Sequence, residues 1–164
     1  DPEGLTKLIN RFLTKMTEVI IKNGGTIDKF MGDCIMAFWN APIDDPRHER
    51  HAIAAALEMQ EELEILNANL IAEGLPKINI GIGINTGRAL VGNMGSEQRF
   101  DYSVIEDAVN LAARLESSSK TLGKTLVVGE DTVRVASLAY KFDYVDEITV
   151  KGKTEPVKVY TINS

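Results

Sequence analysis

The chain has 164 residues, 24 of them acidic and 18 basic, leaving a formal net charge of −6. Length suits one domain of about 100–200 residues, and 44% hydrophobic with 26% charged residues is the composition of a globular protein with a packed core. Disordered tails, collagen-like repeats and coiled-coil rods are thereby excluded, and the acidic balance argues against bulk binding of nucleic acid, though not against a small anion escorted by a metal ion. One cysteine, Cys34, permits no internal disulfide and fits a reducing compartment. No apolar run approaches the about 18 residues of a membrane span. The opening Asp1-Pro2-Glu3-Gly4 lacks the basic and apolar regions of a secretory signal. The expectation is a cytoplasmic domain, which could be cut from a longer protein.

Leu5, Leu8, Ile9, Phe12, Leu13, Met16, Val19 and Ile20 recur at spacings of three and four, which predicts a helix over 4–22 stopped by Gly24-Gly25. Two β-like runs, Thr26–Phe30 and Cys34–Trp39, flank Met31-Gly32-Asp33 and predict a hairpin with a polar tip. Pro42 and Pro46 mark a loop. A helix is predicted from about Arg47 to Glu73, with Ala52, Ala55, Ala56, Met59, Leu63 and Leu66 inward, ended by Gly74 and Pro76. Ile78–Asn85 alternates as a strand, with Ala89–Gly92 able to pair back on it, and Phe100–Ile105 reads as another strand. A helix over 107–118 turns Ala108, Leu111, Ala112 and Leu115 inward. Thr125–Val128 reads as a buried strand, Asp131–Val135 as a short helix, and Glu147–Val150 with Val157–Ile162 as a closing hairpin. This order predicts an α+β fold with a mostly antiparallel sheet.

Several residue groups could carry chemistry, and each has a plain structural reading beside it. Gly81, Gly83, Gly87, Gly92 and Gly95 crowd one segment, but Asn93 stands where a phosphate-binding loop needs lysine, and the spacing misses the dinucleotide fingerprint. Their structural reading is a strand pair narrowed so that another backbone can approach. Asp33 suits a turn for local reasons, and Lys29 among Ile27 and Phe30 could simply snorkel to solvent. Asn110 and Arg114, four apart on a helix, could converge on one anion, or form a solvated edge with Arg114 paired to Asp107 or Glu116. Lys151 and Lys153 fit an exposed turn. His48 and His51 lack the partners of a metal site and read as surface or capping residues. Ser117, Ser118 and Ser119 lack the partnered histidine of a nucleophile.

Taken in order, these segments resemble one family. Ile27–Phe38, with Lys29 and Asp33, resembles the metal-binding hairpin of class III nucleotidyl cyclases. Gly81–Gly87 is similar to their next strand, Tyr102–Glu116 to their signature strand–helix element, and Val150-Lys151-Gly152 to their closing hairpin. The resemblance runs from about Leu5 to Ile162 and implies a ferredoxin-like cyclase fold.

It also implies an activity: conversion of ATP to 3′,5′-cyclic AMP and pyrophosphate for signal transduction, assisted by two Mg²⁺ or Mn²⁺ ions per site. By resemblance, Asp33 is a metal ligand, Lys29 and Ser103 read the adenine, Asn110 orients the ribose, and Arg114 meets charge on the α-phosphate. Lys151 contacts the triphosphate, and Arg99 stands in loose register as a second contact. The family builds its site between two protomers. A homodimer would thus draw Asp33 from one subunit and Lys29, Ser103, Asn110, Arg114 and Lys151 from the other. Two departures stand out. Glu106 occupies a position usually held by glycine, and the family's first metal aspartate, in a Phe-x-Asp-x-x-x-Phe-Thr strand, has no counterpart after Asp1. The expectation is an N-terminally incomplete domain, inactive by itself and fused in its parent to an upstream sensor or regulatory domain. The alternatives are a non-catalytic cyclase-like module that binds nucleotide or a partner domain, and a plain ferredoxin-like interaction domain.

Overall fold

The computed structural model describes the backbone of residues 2–89 and 102–162, with side chains for 2–89 and 107–162. Contacts divide the chain into two compact units, Asp1–Asn79 and Ile80–Ser164.

In the first unit, α1 (Pro2–Lys22) buries Phe12, Met16, Val19 and Ile20, the stripe that the spacing predicts. Leu5, assigned to the same stripe, is 58% exposed. The helix stops in a Schellman motif: Gly24, with φ +87°, donates to the Ile21 carbonyl, and Gly25 to the Ile20 carbonyl. β1 (Thr26–Met31) and β2 (Cys34–Phe38) form the expected antiparallel hairpin. α2 (His48–Ala72) packs on α1 and buries Ala52, Ile53, Ala55, Ala56, Leu63, Leu66 and Leu70. Asn67 is buried as well. Its amide donates to the Ile78 carbonyl at 2.9 Å and accepts from the Ile78 N–H at 2.8 Å, clasping the extended segment after the helix.

The strand expected over Ile78–Asn85 shortens accordingly. Its first part satisfies backbone groups on a side chain, and only β3 (Ile82–Ile84) enters a sheet. In the second unit β3 lies parallel to β4 (Leu126–Gly129), β4 antiparallel to β6 (Val157–Thr161), and β6 antiparallel to β5 (Asp143–Ile148), in the order β3-β4-β6-β5. α3 (Tyr102–Leu122) packs on β3 and β4, and α4 (Glu130–Ala136) follows β4 directly. Leu111 and Leu115 of α3 join Val127, Ile148, Val157 and Val159 in one core cluster. Leu115, Val127 and Val159 are fully buried, and truncating Leu115 to alanine would cost about 2–5 kcal/mol. The fold is α+β with three antiparallel strand pairs and one parallel pair among the described strands, as expected.

The expectation of a strand over Phe100–Ile105 needs correcting. Phe100 lies outside the described residues, but Tyr102 to Ile105 belong to the first turns of α3. β-branched and aromatic residues favour a strand there by propensity. No glycine or proline separates them from the strong helix former that follows, however, and extending an existing helix is cheap. Glu106, in the same turns, also costs a helix far less than a glycine would. The partner expected over Ala89–Gly92 also lies outside the described residues from position 90 onward.

Candidate active site

The β1–β2 hairpin carries the first group. Gly32 (φ +65°) and Asp33 form its two-residue tip, with Met31 opposite Cys34. A positive φ at the first tip residue only is the pattern of a type II′ turn, whose twist matches the flanking strands. The register slips between Ile27 and Lys29, so Asp28 is the extra residue of a β-bulge. The bulge breaks the simple alternation. Lys29, Phe30, Met31 and Asp33 are all exposed, Phe30 by 50% and Met31 by 47%. Neither the Lys29 ammonium nor the Asp33 carboxylate is hydrogen-bonded or ion-paired among the described residues.

The second unit carries the rest. Asn110 and Arg114 sit one turn apart on α3, both exposed, while Leu111 and Leu115 beside them are buried. The Arg114 guanidinium has no ion pair among the described residues, so the expected alternative of a pair with Asp107 or Glu116 is not realised. Its carbonyl oxygen accepts from Ser118 Oγ at 2.7 Å and Ser117 Oγ at 3.1 Å. These serines thus serve the helix backbone. Lys151 occupies the turn between β5 and β6, exposed, in a loop closed by Lys153 N–H donating to the Val150 carbonyl. Ser103 falls in the first turn of α3, and Arg99 lies outside the described residues.

The glycine cluster admits another backbone, as its structural reading expects. A Cβ built on Gly83 would lie 2.4 Å from the Glu116 nitrogen and 2.5 Å from the Ala112 oxygen, and one on Gly81 would meet Ser119 and the Glu116 carbonyl. The backbone that approaches β3 is that of helix α3.

The whole chain, residues 1–164, matches the family described as the adenylate and guanylate cyclase catalytic domain. The chain belongs to that family. Adenylate cyclase 1 of Rhizobium meliloti is 34% identical over 98% of this chain, which spans 24% of that protein. Among solved structures, the adenylyl cyclase CyaB from P. aeruginosa superposes with a TM-score of 0.86 at 34% identity, covering all of this chain and 84% of that one. The guanylyl cyclase Cya2 superposes with a TM-score of 0.80 at 35% identity, over 98% of this chain and 80% of that one. Class III cyclase domains that act on either purine thus lie at similar distance from this chain.

For a cyclase domain, the exposed Asp33 carboxylate fits one part of a cation site, since Mg²⁺ is commonly held by one or two carboxylates and completed by substrate phosphates. No group of three or more His, Cys, Asp or Glu is gathered for a metal among the described residues. The two histidines do have acidic partners. His51 Nδ1 donates to Asp45 Oδ2 and His48 Nε2 lies 3.2 Å from Glu49. Asp45 in turn accepts from the Arg47 N–H, organising the entry to α2. The hydrogen bond from His51 holds the Asp45 carboxyl below the usual carboxylate range. No described helix is long and apolar enough to cross a membrane.

One residue escaped the sequence reasoning. Asn85 follows β3 and donates through Nδ2 to the Ala108 carbonyl of α3 at 3.0 Å. The available signal was a polar amide closing a strand otherwise made of isoleucine and glycine.

Proposed function

We propose that this chain is the catalytic core of an adenylate cyclase, converting ATP to 3′,5′-cyclic AMP and pyrophosphate within a longer signalling protein that carries a sensor or regulatory domain. The observation that carries the reading is the pair Asn110 and Arg114, exposed one turn apart on a helix whose adjoining face, at Leu111 and Leu115, is buried, with neither side chain engaged among the described residues. Family membership supports the same assignment.

Each residue has a definite task. The Asn110 amide hydrogen-bonds the ribose and holds its 3′-hydroxyl in line with the α-phosphorus. The planar Arg114 guanidinium meets the charge that grows on the α-phosphate as the bond to pyrophosphate breaks, which makes it a transition-state group. Lys29 donates to an adenine ring nitrogen, and the Ser103 hydroxyl accepts from the exocyclic amine. Lys151 and Arg99 neutralise the triphosphate. Asp33 is a ligand for Mg²⁺ or Mn²⁺, two ions per site, which when bound neutralise the triphosphate and make the attacking hydroxyl more acidic. Two copies of the chain share two equivalent sites, Asp33 coming from one and the remaining groups from the other.

The test is turnover of ATP with Mn²⁺ by the full-length protein. Asp33→Ala and Arg114→Ala should each lower cyclic AMP formation by at least about 100-fold. Mixed together, the two variants should regain about a quarter of the activity, because half of the dimers then hold one intact site of two. Unchanged product formation by Asp33→Ala would remove that residue from the site. A kcat/KM for GTP equal to that for ATP would overturn the adenine assignment to Lys29 and Ser103. A second reading, a nucleotide-binding regulatory module without turnover, is favoured by the extension of α3 through Ser103 and Glu106. Calorimetric binding of ATP without any product would support it.

A further inference from the structure

Asn85 is a stability loss that needs a reason. Its Oδ1 is buried and has no hydrogen-bond partner among the described residues, while Nδ2 donates to the Ala108 carbonyl oxygen. A buried amide satisfied on its donor side alone is unfavourable, and a leucine of similar size would avoid the penalty. The Ala108 carbonyl does not depend on the amide either, since inside a helix it already accepts the backbone bond from four residues on. What Asn85 adds is direction.

The contact between β3 and α3 is otherwise made of small groups. Gly81, Gly83 and Gly87 face Ser119, Ala112 with Glu116, and Ala108, respectively. Such packing sets how close the helix lies to the strand, but apolar contact is not directional and holds its position along the axis only weakly. The Asn85 hydrogen bond is the lateral tie at the end of β3. Gly129 makes room for it, because a Cβ there would come within 3.0 Å of Asn85 Oδ1. The tied carbonyl belongs to residue 108, so Asn110 lies two residues beyond it and Arg114 six, within the next two turns.

We propose that Asn85 is a positioning residue of the cyclase site: its hydrogen bond to the Ala108 carbonyl sets the place of α3 along β3, and with it that of Asn110 and Arg114. This rests on the catalytic reading of those two residues.

The experiment compares Asn85→Leu and Asn85→Ala in the full-length protein, each alone and combined with Arg114→Ala. Thermal melting is measured with kcat and KM for ATP. Asn85→Leu should melt at or above the unsubstituted protein, yet lose about tenfold in kcat with KM changed by less than about twofold. In the Arg114→Ala background the same substitution should cost clearly less than it does alone, since one of the two groups it positions is already gone. Asn85→Ala should show the same split of kcat from KM, and it carries the test if the leucine variant does not fold. Wild-type kcat in both variants would overturn the inference. So would losses that are equal with and without Arg114, the result expected of a merely structural residue. An inactive unsubstituted protein, or a fully active Arg114→Ala, would instead refute the catalytic reading and take the inference with it.

Discussion

Replacing Gly83 by alanine tests the closest approach in the second unit. The added Cβ would sit 2.4 Å from the Glu116 nitrogen, 2.5 Å from the Ala112 oxygen and 3.0 Å from the Glu116 Cα, all backbone atoms of α3 that no rotamer change can move. Ordinary contact begins near 3.4 Å, so α3 must retreat from β3 by about 1 Å or the strand must buckle. Overpacking of this kind costs about 1–3 kcal/mol. A displacement of that size carried to Asn110 and Arg114 would lower turnover by about 100-fold. Gly123→Ala is the control: its φ of +69° strains any side chain, but nothing lies within 4 Å, so helix and strand stay in place. It should lower the melting temperature modestly and leave kcat near the unsubstituted value. Denaturant unfolding and cyclic nucleotide formation, measured on the same preparations of the full-length protein, separate the two effects. A Gly83→Ala variant that unfolds and turns over like the unsubstituted protein would refute the close-packed account of β3 and α3.

Leu115→Ala removes a fully buried side chain from the core of the second unit and should cost about 2–5 kcal/mol in chemical denaturation. Asp45→Asn should destabilise the protein near neutral pH. The folded Asp45 carboxyl is depressed, chiefly by its hydrogen bond from His51, so its stabilisation is present above the ordinary carboxylate value and lost as pH falls through the folded one. The gap between Asp45→Asn and the unsubstituted protein should therefore narrow as pH falls below the ordinary carboxylate range, and a gap constant with pH would refute it. Chelation of divalent ions should abolish product formation, and readdition of Mn²⁺ should restore it except in Asp33→Ala. Persistent turnover in excess chelator would exclude the metal-assisted route.

Features set by local chemistry were legible from the residues alone. The apolar stripe of α1, the glycine stop at Gly24, the hairpin tip at Gly32-Asp33 and the inward face of α3 at Leu111 and Leu115 all follow from period, turn and cap preferences within a few positions. So does the exposure of Arg114 at the edge of that face. Tertiary structure decided the rest. The bulge at Asp28 depends on the partner strand's register, and the parallel pairing of β3 with β4 depends on the crossover through α3. The start of α3 at Tyr102 depends on helix cooperativity outweighing the strand propensity of its first residues. Above all, the sequence shows that Gly81, Gly83 and Asn85 are small or polar, but not what they face. Only the packed structure names α3 as their partner, because a close approach is made by two backbones distant along the chain, and neither segment alone encodes the other's position.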